Sequence, residues 1–261
     1  MFKLKFLLND LLNVAFNDLI KYKKNINSQN GEDGIIEEIL IRLNIKNSEN
    51  NWCCEFGACD GIKLSNTFSL VTQKWNAVYI EADKFFYNNL LNTASKYKNI
   101  FPINALVNGN KNSPLSLDAL LATTPIPKNF DILSIDIDSY DCDVWEGLEN
   151  YIPKIVIIEI NSAIPPGILK RHNDKDIVDG DLKSKNIGGN SFSSILEVAL
   201  KKGYILVCHT GNLIFVKEEL INLINIREKY IKNPELLFDG RYLFNSFFIR
   251  LFYKFIDLVS K

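Results

Sequence analysis

The chain has 261 residues, with 30 Lys and Arg against 31 Asp and Glu, and 47% of its residues are hydrophobic. This length suits one large α/β domain with helical additions, and the apolar content argues against global disorder. The net charge of −1 gives no long-range attraction to nucleic acid or to an anionic membrane. Cys53, Cys54 and Cys59 fall in or beside a predicted buried strand, where cysteine acts as a small hydrophobe. A reducing cytoplasm is therefore the expected location.

An amphipathic helix is predicted at the start of the chain, because apolar residues recur at near-helical spacing over 4–22. Asn9 and Asp10 interrupt the first apolar stretch, and no small-residue cleavage site follows, so a signal peptide is not predicted. No uninterrupted apolar run approaches the roughly 20 residues of a membrane-spanning helix.

A polar turn, Ser28-Gln29-Asn30-Gly31-Glu32-Asp33-Gly34, leads into a predicted helix at about 35–44. The two glycines, with Asn30 and Asp33 as caps, are enough to explain a turn. The same polar side chains also suit the lining of a cofactor pocket, and both interpretations stay open.

The middle of the chain alternates strands with helices. The predicted strands are a first one from Trp52 and four more over 76–81, 99–104, 130–135 and 154–161. The predicted helices cover 66–73, 84–96, 115–121, 141–149 and 191–202, with Ser65 as the cap of the first. This alternation predicts a parallel sheet covered on both faces. The last two strands, 204–208 and 213–216, are too close for a parallel crossover and predict an antiparallel hairpin.

A glycine-rich loop follows the first strand. Gly57 and Gly61 allow the backbone to turn tightly beneath a ligand, and Glu55 precedes them. Twenty residues after Gly61, the second strand ends in Glu81. A carboxylate at this place in an α/β nucleotide site binds the two hydroxyls of a ribose. The loop and Glu81 together predict a nucleotide-type cofactor site.

Acidic residues end several of the predicted strands, where ligands bind in open α/β sheets. Asp136 ends the fourth strand and Glu159 interrupts the apolar run of the fifth, with Asp138 and Asn161 just beyond. Oxygen ligands of this kind suit Mg²⁺ or Mn²⁺, and a buried carboxylate at Glu159 would need a partner. The alternative is that such acids cap helices, which suits Asp141 and Asp143.

Both histidines are candidates for catalysis. Periodicity disappears between Pro165 and Asn190, and a loop of this length is typical of a functional lid or of disorder. His172 in this loop is a candidate general base, or with Arg171 a ligand of an anionic substrate. His209, in the hairpin turn, is the second candidate.

The tail, 218–261, is predicted to form two helices, the last of them carrying an aromatic stripe. Such a stripe is too apolar for a solvated helix. We expect it to pack on the first helix or across a homodimer interface, and contact with a membrane surface is the third possibility.

The segment Glu55-Phe56-Gly57-Ala58-Cys59-Asp60-Gly61 resembles the glycine motif of class I S-adenosylmethionine-dependent methyltransferases. With Ser28–Gly34, Ser134–Asp138 and Ile158–Asn161, the chain resembles the FkbM-type methyltransferase family over about 28–217. The resemblance implies a Rossmann-like α/β fold of seven strands, mostly parallel with the last antiparallel, and extra helices at both termini. It implies three regions: an N-terminal helix at 1–27, the cofactor-binding domain at 28–217 and a C-terminal helical extension at 218–261.

The resemblance also implies the site. The glycine loop would hold the methionine part of S-adenosylmethionine, Glu81 the ribose and the segment from Asn104 the adenine, while Asp136 and Asp138 would face the transferred methyl group. The implied cofactor-binding set is Glu55, Gly57, Ala58, Asp60, Gly61, Glu81, Ala82, Asn104, Ala105 and Asp136. The implied catalytic set is Asp136, Asp138 and His172, and the metal candidates are Asp136, Glu159 and Asn161. Ser139-Tyr140-Asp141 replaces the family's common glycine after the second acid.

The predicted activity is O-methylation of a small carbohydrate or nucleotide-linked precursor of a surface glycan, without nucleic acid as a partner. One alternative is an NAD-dependent oxidoreductase, but the loop lacks the third glycine of G-x-G-x-x-G and the final hairpin counts against it. The other alternative is a non-catalytic interaction module that uses the aromatic tail.

Overall fold

The computed structural model describes residues 18–137, 139–172 and 189–240. Seven strands of this part form one sheet in the order β3-β2-β1-β4-β5-β7-β6. They are β1 (Trp52–Phe56), β2 (Asn76–Glu81), β3 (Ile100–Asn104), β4 (Ile132–Ile135), β5 (Ile155–Glu159), β6 (Tyr204–His209) and β7 (Asn212–Lys217). Strands β1 to β5 are parallel, and β7 is antiparallel to both of its neighbours. The expected mostly parallel sheet with an antiparallel seventh strand is confirmed.

Helices connect these strands and cover the sheet. They are α1 (Glu32–Arg42), α2 (Phe68–Val71), α3 (Lys84–Lys96), α4 (Leu117–Leu121), α5 (Asp141–Gly147), α6 (Phe192–Lys201), α7 (Ile221–Ile224) and α8 (Glu228–Lys232). Short 3₁₀ turns lie at Ile20–Tyr22, Glu218–Leu220 and Pro234–Leu237. Among the described helices, none is both long and apolar enough to cross a membrane.

The strands bury both of their faces, because alternate side chains enter two separate apolar layers. In β1, Cys54 and Phe56 belong to one layer and Cys53 to the other; all three are fully buried. Cys59, just beyond the strand, is exposed, so its expected role as a buried hydrophobe is wrong. The sheet is therefore a rigid core whose carboxyl edge presents the loops of interest.

Two predicted helix starts are wrong. The first helix begins at Glu32 rather than near residue 35, and its N-cap is Gly31 rather than Asn30 or Asp33. Gly31 has φ of 97° and a Cβ there would meet Lys23 at 2.6 Å, so only glycine fits. The helix after β1 is one turn long, and its N-cap is Thr67 rather than Ser65.

The predicted helices at the two ends of the chain lie partly or wholly outside the described residues. Of the first helix, only residues from 18 onward are described, and they include the 3₁₀ turn at Ile20–Tyr22. The predicted aromatic helix over 241–261 lies outside the described residues.

Candidate functional site

The glycine loop lies between the ends of β2 and β4. Gly57 and Gly61 both have left-handed backbones, with φ of 76° and 77°. A Cβ at Gly57 would lie 1.7 Å from the carbonyl oxygen of Asp136. The N–H groups of Gly57 and Ala58 donate to the carbonyl of Ile80 at 3.1 and 3.2 Å. The loop is therefore held against both neighbouring strands, which leaves no room for a side chain at Gly57.

Glu81 joins this loop to the end of β2. Its carboxylate accepts from the N–H of Cys59 and from the N–H of Asp83, each at 2.8 Å. Its backbone carbonyl accepts from Asn104 Nδ2 at 2.7 Å and from the N–H of Ala105 at 3.2 Å. The predicted methionine, ribose and adenine segments thus meet at one edge of the sheet.

Two other residues of the predicted cofactor set have local roles. Asp60 Oδ1 accepts from the N–H groups of Ile62 and Lys63 at 2.9 and 2.8 Å, which closes the turn after the loop. Ala82 is exposed beside Glu81. Asp60 shapes the loop, and Ala82 lies on the open face of the predicted ribose site.

The Glu55 carboxylate is buried and hydrogen-bonded to neighbouring groups of the protein. It accepts from Ser65 Oγ at 2.8 Å, from the Thr67 hydroxyl and from the N–H of Asn66 at 3.3 Å. Tyr79 completes this cluster, its hydroxyl 2.9 Å from Thr67 Oγ1. Burial raises the pKa of Glu55 to about 7, although the surrounding hydroxyl donors oppose that shift. Glu55 therefore fixes the segment before α2.

A polar cavity of about 230 Å³ opens beside the glycine loop, at the carboxyl ends of β4 and β5. Its lining combines carboxamides, carboxylates, one hydroxyl and two apolar side chains: Gln29, Asn30, Leu64, Asn66, Asp136, Glu159, Ile160, Ser162, Gly211 and Asn212. Asp136 is exposed and Glu159 is half-buried, so the expectation of a fully buried Glu159 is wrong. The structure thus brings Asp136 and Glu159 to one cavity.

The polar turn before α1 forms one wall of this cavity through two buried acids. Glu32 Oε1 accepts from Thr210 Oγ1 at 2.7 Å and from Asn212 Nδ2 at 3.2 Å. Its other oxygen accepts from the N–H of Asn30 at 2.7 Å. Asp33 stabilises the same turn, because its Oδ2 accepts hydrogen bonds from the backbone N–H groups of residues 26–28. The motif shapes its own turn, and Gln29 and Asn30 line the cavity. A role of this motif in a cofactor pocket stays a prediction.

Several lining residues had no signal in the sequence. Asn66 and Ser162 stand in different loops and Asn212 begins β7. The three match no motif, and only the strand order brings them together. The Ser-Gln-Asn-Gly motif is visible in the sequence. Its contact with the distant hairpin of β6 and β7 is not.

The metal candidates are only partly assembled. Asn161 does not line the cavity with Asp136 and Glu159, and its Oδ1 accepts from the N–H of Ala163 at 3.1 Å. Asp138 lies outside the described residues. Across the described ranges, no group of three or more His, Cys, Asp or Glu has the arrangement of a metal site.

His172 is not among the residues that line the cavity. Its ring lies 5.1 Å from the ring of Tyr140, and both ring nitrogens are buried without a hydrogen-bond partner in the described part of the chain. Arg171 makes ion pairs with Asp143, at 3.1 Å, and with Glu146. The expectation that Arg171 and His172 together bind an anionic substrate is therefore not met, because the guanidinium is already paired with two carboxylates.

Asn190 ties this segment to the site. Its Nδ2 donates to the carbonyl of Ser139 at 2.8 Å, and its Oδ1 accepts from the N–H of His172 at 3.2 Å. Its own carbonyl accepts from the N–H of Asn161 at 2.8 Å. Asn190 thus joins three loops at the carboxyl edge, two through its carboxamide and one through its backbone carbonyl.

His209 is fully buried behind the cavity wall. Its Nδ1 accepts from the N–H of Asp239 at 2.7 Å, so the proton of the neutral ring lies on Nε2. Nε2 is 3.1 Å from the Oγ of Ser162, which lines the cavity. Ser162 therefore links His209 to the cavity in this conformation.

Asp141 orders the loop after β4. Its two carboxylate oxygens accept from the N–H groups of Ile137 and Ser139, each at 2.9 Å. Burial raises the pKa of Asp141 to about 7, although these donors oppose that shift. Asp141 stands in the first turn of α5, as the helix-capping alternative expected, but it bonds backward to the loop that follows Asp136.

No protein-family model matches the chain, and a comparison with curated proteins gives no significant match. Solved structures match at low identity. A SAM-dependent methyltransferase from Aquifex aeolicus is 11% identical with a TM-score of 0.42, over 78% of this chain and 93% of that one. A TehB-like SAM-dependent methyltransferase from Corynebacterium glutamicum is 11% identical with a TM-score of 0.40, over 81% and 98%. The N-terminal domain of EvdMO1, solved with SAH and D-fucose, is 10% identical with a TM-score of 0.43, over 74% and 84%. Neither the activity nor the site of this chain follows from matches this distant.

Proposed function

We propose that the protein is a class I S-adenosylmethionine-dependent methyltransferase of the FkbM type that methylates a hydroxyl group of a small carbohydrate or nucleotide-linked acceptor. One observation carries the proposal: the loop with left-handed Gly57 and Gly61 is bonded to Glu81 through Cys59, at the carboxyl edge of the sheet. The antiparallel β7 supports it further, because the sheet then departs from the wholly parallel order of the dinucleotide-binding fold.

The residues present fit S-adenosylmethionine. Each oxygen of Glu81 accepts one backbone N–H, and a carboxylate oxygen has capacity for a second donor, so both can accept from ribose hydroxyls. Asn104, the last residue of β3, and Ala105 after it lie beside Glu81, where an adenine ring would pack. The cofactor, when bound, supplies the methyl group as an electrophilic sulfonium carbon.

The remaining chemistry belongs to the chain. Methyl transfer to a hydroxyl requires the acceptor oxygen in line with the reacting carbon and a group that takes its proton. Asp136 lies on the cavity directly beside Gly57, and its carboxylate is the proposed base. Glu159, on the same cavity, would orient the acceptor.

Calorimetric titration with S-adenosylhomocysteine tests the proposal. We expect micromolar binding, with NADH in a parallel titration as the control for the oxidoreductase alternative. Repeating the titration with EDTA and with added Mg²⁺ shows whether a metal contributes to cofactor binding. Absence of S-adenosylhomocysteine binding under all of these conditions overturns the proposed function.

A further inference from the structure

We infer that the cavity beside the glycine loop takes an uncharged, hydroxyl-rich ring of the acceptor and discriminates against a phosphate group. The inference rests on the proposed function and decides between the two acceptor classes that it leaves open. It is carried by the chemistry of the lining, by the way the lining is held and by the cavity's size.

Carboxamides dominate the polar lining. Gln29, Asn30, Asn66 and Asn212 each present a group that both donates and accepts hydrogen bonds, and Ser162 adds a hydroxyl. A sugar hydroxyl also donates and accepts, so every lining group has a match on a polyol. An ammonium group only donates, so it matches only the amide oxygens of the lining.

Two of these carboxamides are fixed before any ligand arrives. Asn66 is 4% exposed and donates through Nδ2 to Ser134 Oγ at 3.1 Å. Asn212 is 7% exposed and donates to Glu32. The backbone of Asn30 is bonded to the other oxygen of Glu32. A pre-formed set of polar groups is the usual basis of orientation and specificity in small-molecule sites.

The two acids on the cavity set its charge preference. Asp136 and Glu159 place carboxylates on the same small space. A phosphate group there would add a third anion, which repulsion between like charges disfavours.

The size of the cavity agrees with a single ring. Its volume of about 230 Å³ lies below the ~300–1,000 Å³ of pockets that enclose drug-sized ligands. One sugar ring fits this space better than a nucleotide does, so a nucleotide-linked acceptor would have to keep its phosphates outside the cavity.

Calorimetry on the full chain saturated with S-adenosylhomocysteine tests the inference. The probes are the methyl glycosides of glucose, galactose, mannose, fucose and rhamnose, the matching sugar 1-phosphates, and glucosamine. We expect at least one methyl glycoside to bind and its 1-phosphate to bind at least tenfold more weakly. Equal or tighter binding of the phosphate, tighter binding of glucosamine than of methyl glucoside, or no sugar binding at all overturns the inference.

The two levels of the proposal fail separately. If S-adenosylhomocysteine does not bind, the methyltransferase assignment fails, whereas selective binding of a neutral sugar to the same sample would still support the cavity assignment. If S-adenosylhomocysteine binds and the sugar series behaves otherwise than expected, only the further inference fails.

Two variants locate the sugar site. Asn30→Ala keeps the backbone N–H that bonds Glu32 and removes only the carboxamide, so sugar binding should fall at least fivefold with S-adenosylhomocysteine binding unchanged. Asn92→Ala, on the exposed face of α3, is the matched control and should change neither sugar binding nor S-adenosylhomocysteine binding.

Glu159→Gln should reduce the ratio of the affinity for the neutral sugar to the affinity for its phosphate, which a merely structural role would not do. An unchanged preference in Glu159→Gln, or unchanged sugar affinity in Asn30→Ala, contradicts the assignment.

Discussion

Glu81 combines a structural and a ligand-binding role in one side chain, since its carboxylate receives two backbone N–H groups and is proposed to bind the ribose. We expect Glu81→Ala to weaken binding of S-adenosylhomocysteine at least tenfold, because both hydroxyl acceptors are lost. Calorimetry measures the dissociation constant, and far-UV circular dichroism confirms that the variant is folded. Glu81→Gln, which keeps one oxygen acceptor, should lose less affinity. An unchanged dissociation constant in Glu81→Ala would remove the ribose assignment.

Asp136 is the proposed base, and it lies beside the cofactor loop without a bonding role toward the ribose. Asp136→Asn should reduce methyl transfer to a sugar that binds the cavity by roughly 10²-fold or more, the usual scale for loss of a general base. Binding of S-adenosylhomocysteine should stay within a factor of two. Transfer of a radiolabelled methyl group measures the rate. Activity close to that of the unaltered protein would show that another group takes the proton.

Glu55 should make stability depend on pH. Its pKa rises from about 4.5 when unfolded to about 7 when folded, so over this interval the folded state holds a proton that the unfolded state has released. The favourable contribution is therefore fully present below about pH 4.5 and is lost as the pH rises to about 7. Glu55→Gln removes the titration, and its free energy of unfolding in urea should change less between pH 5 and pH 8. An identical dependence of the free energy of unfolding on pH in both proteins would contradict the assigned pKa of Glu55. Asp141→Asn should likewise make the free energy of unfolding depend less on pH, because the pKa of Asp141 is also raised.

At the residue scale, the sequence predicts best those positions where the backbone requires one residue type. Gly57 and Gly61 adopt left-handed conformations, and a side chain at Gly57 would collide with Asp136. The role of an acidic residue at the end of a strand is harder to predict. Glu55 and Glu81 both lie at the carboxyl ends of their strands, yet Glu55 is enclosed by hydroxyl groups and Glu81 receives the N–H of Cys59. Burial and partners, which the sequence does not display, decide between the two.

At the element scale, the turn over 25–33 depends on Glu32 for its place beside the hairpin of β6 and β7. Glu32→Ala leaves Thr210, Asn212 and the N–H of Asn30 without their acceptor. Each unsatisfied buried group costs about 1–3 kcal/mol, so the free energy of unfolding should fall by at least about 2 kcal/mol. Urea denaturation measures this loss.

Glu37→Ala is the matched control for this variant, since Glu37 is exposed on the same helix and its removal should change stability little. The turn stands apart from the glycine loop, so Glu32→Ala should retain S-adenosylhomocysteine binding and lose sugar binding. Loss of both, in a protein that still folds, would show that the turn also supports the cofactor site.

The strongest periodic patterns predict their elements closely. Strand β2 and helix α3 have the predicted bounds, 76–81 and 84–96, because a continuous apolar run marks the strand and amphipathic spacing marks the helix. Helix α2 is much shorter than predicted. The hydroxyl of Ser65 accepts from the N–H of Phe68 at 3.0 Å and is itself bonded to Glu55. This bond to Glu55, which the sequence does not display, fixes where the helix begins.

At the scale of the whole molecule, the sheet order follows from connection lengths that the sequence reveals, since long segments with helices link the parallel strands and a two-residue turn links β6 to β7. The wall of the cavity does not follow from them. Its parts come from the turn before α1, from the segment after β1 and from the last hairpin, and only the three-dimensional order of the strands makes them neighbours.

The contact between Glu32 and Thr210 spans 178 residues, whereas that between Cys59 and Glu81 spans 22. Contacts between distant parts of a chain form late, because a long loop must close before they contribute energy. During synthesis, the cofactor edge has all of its residues once the fourth strand and Asp136 leave the ribosome. The acceptor wall must wait for the seventh strand. A ribosome-bound chain that ends before Thr210 contains the proposed cofactor residues but no finished acceptor wall.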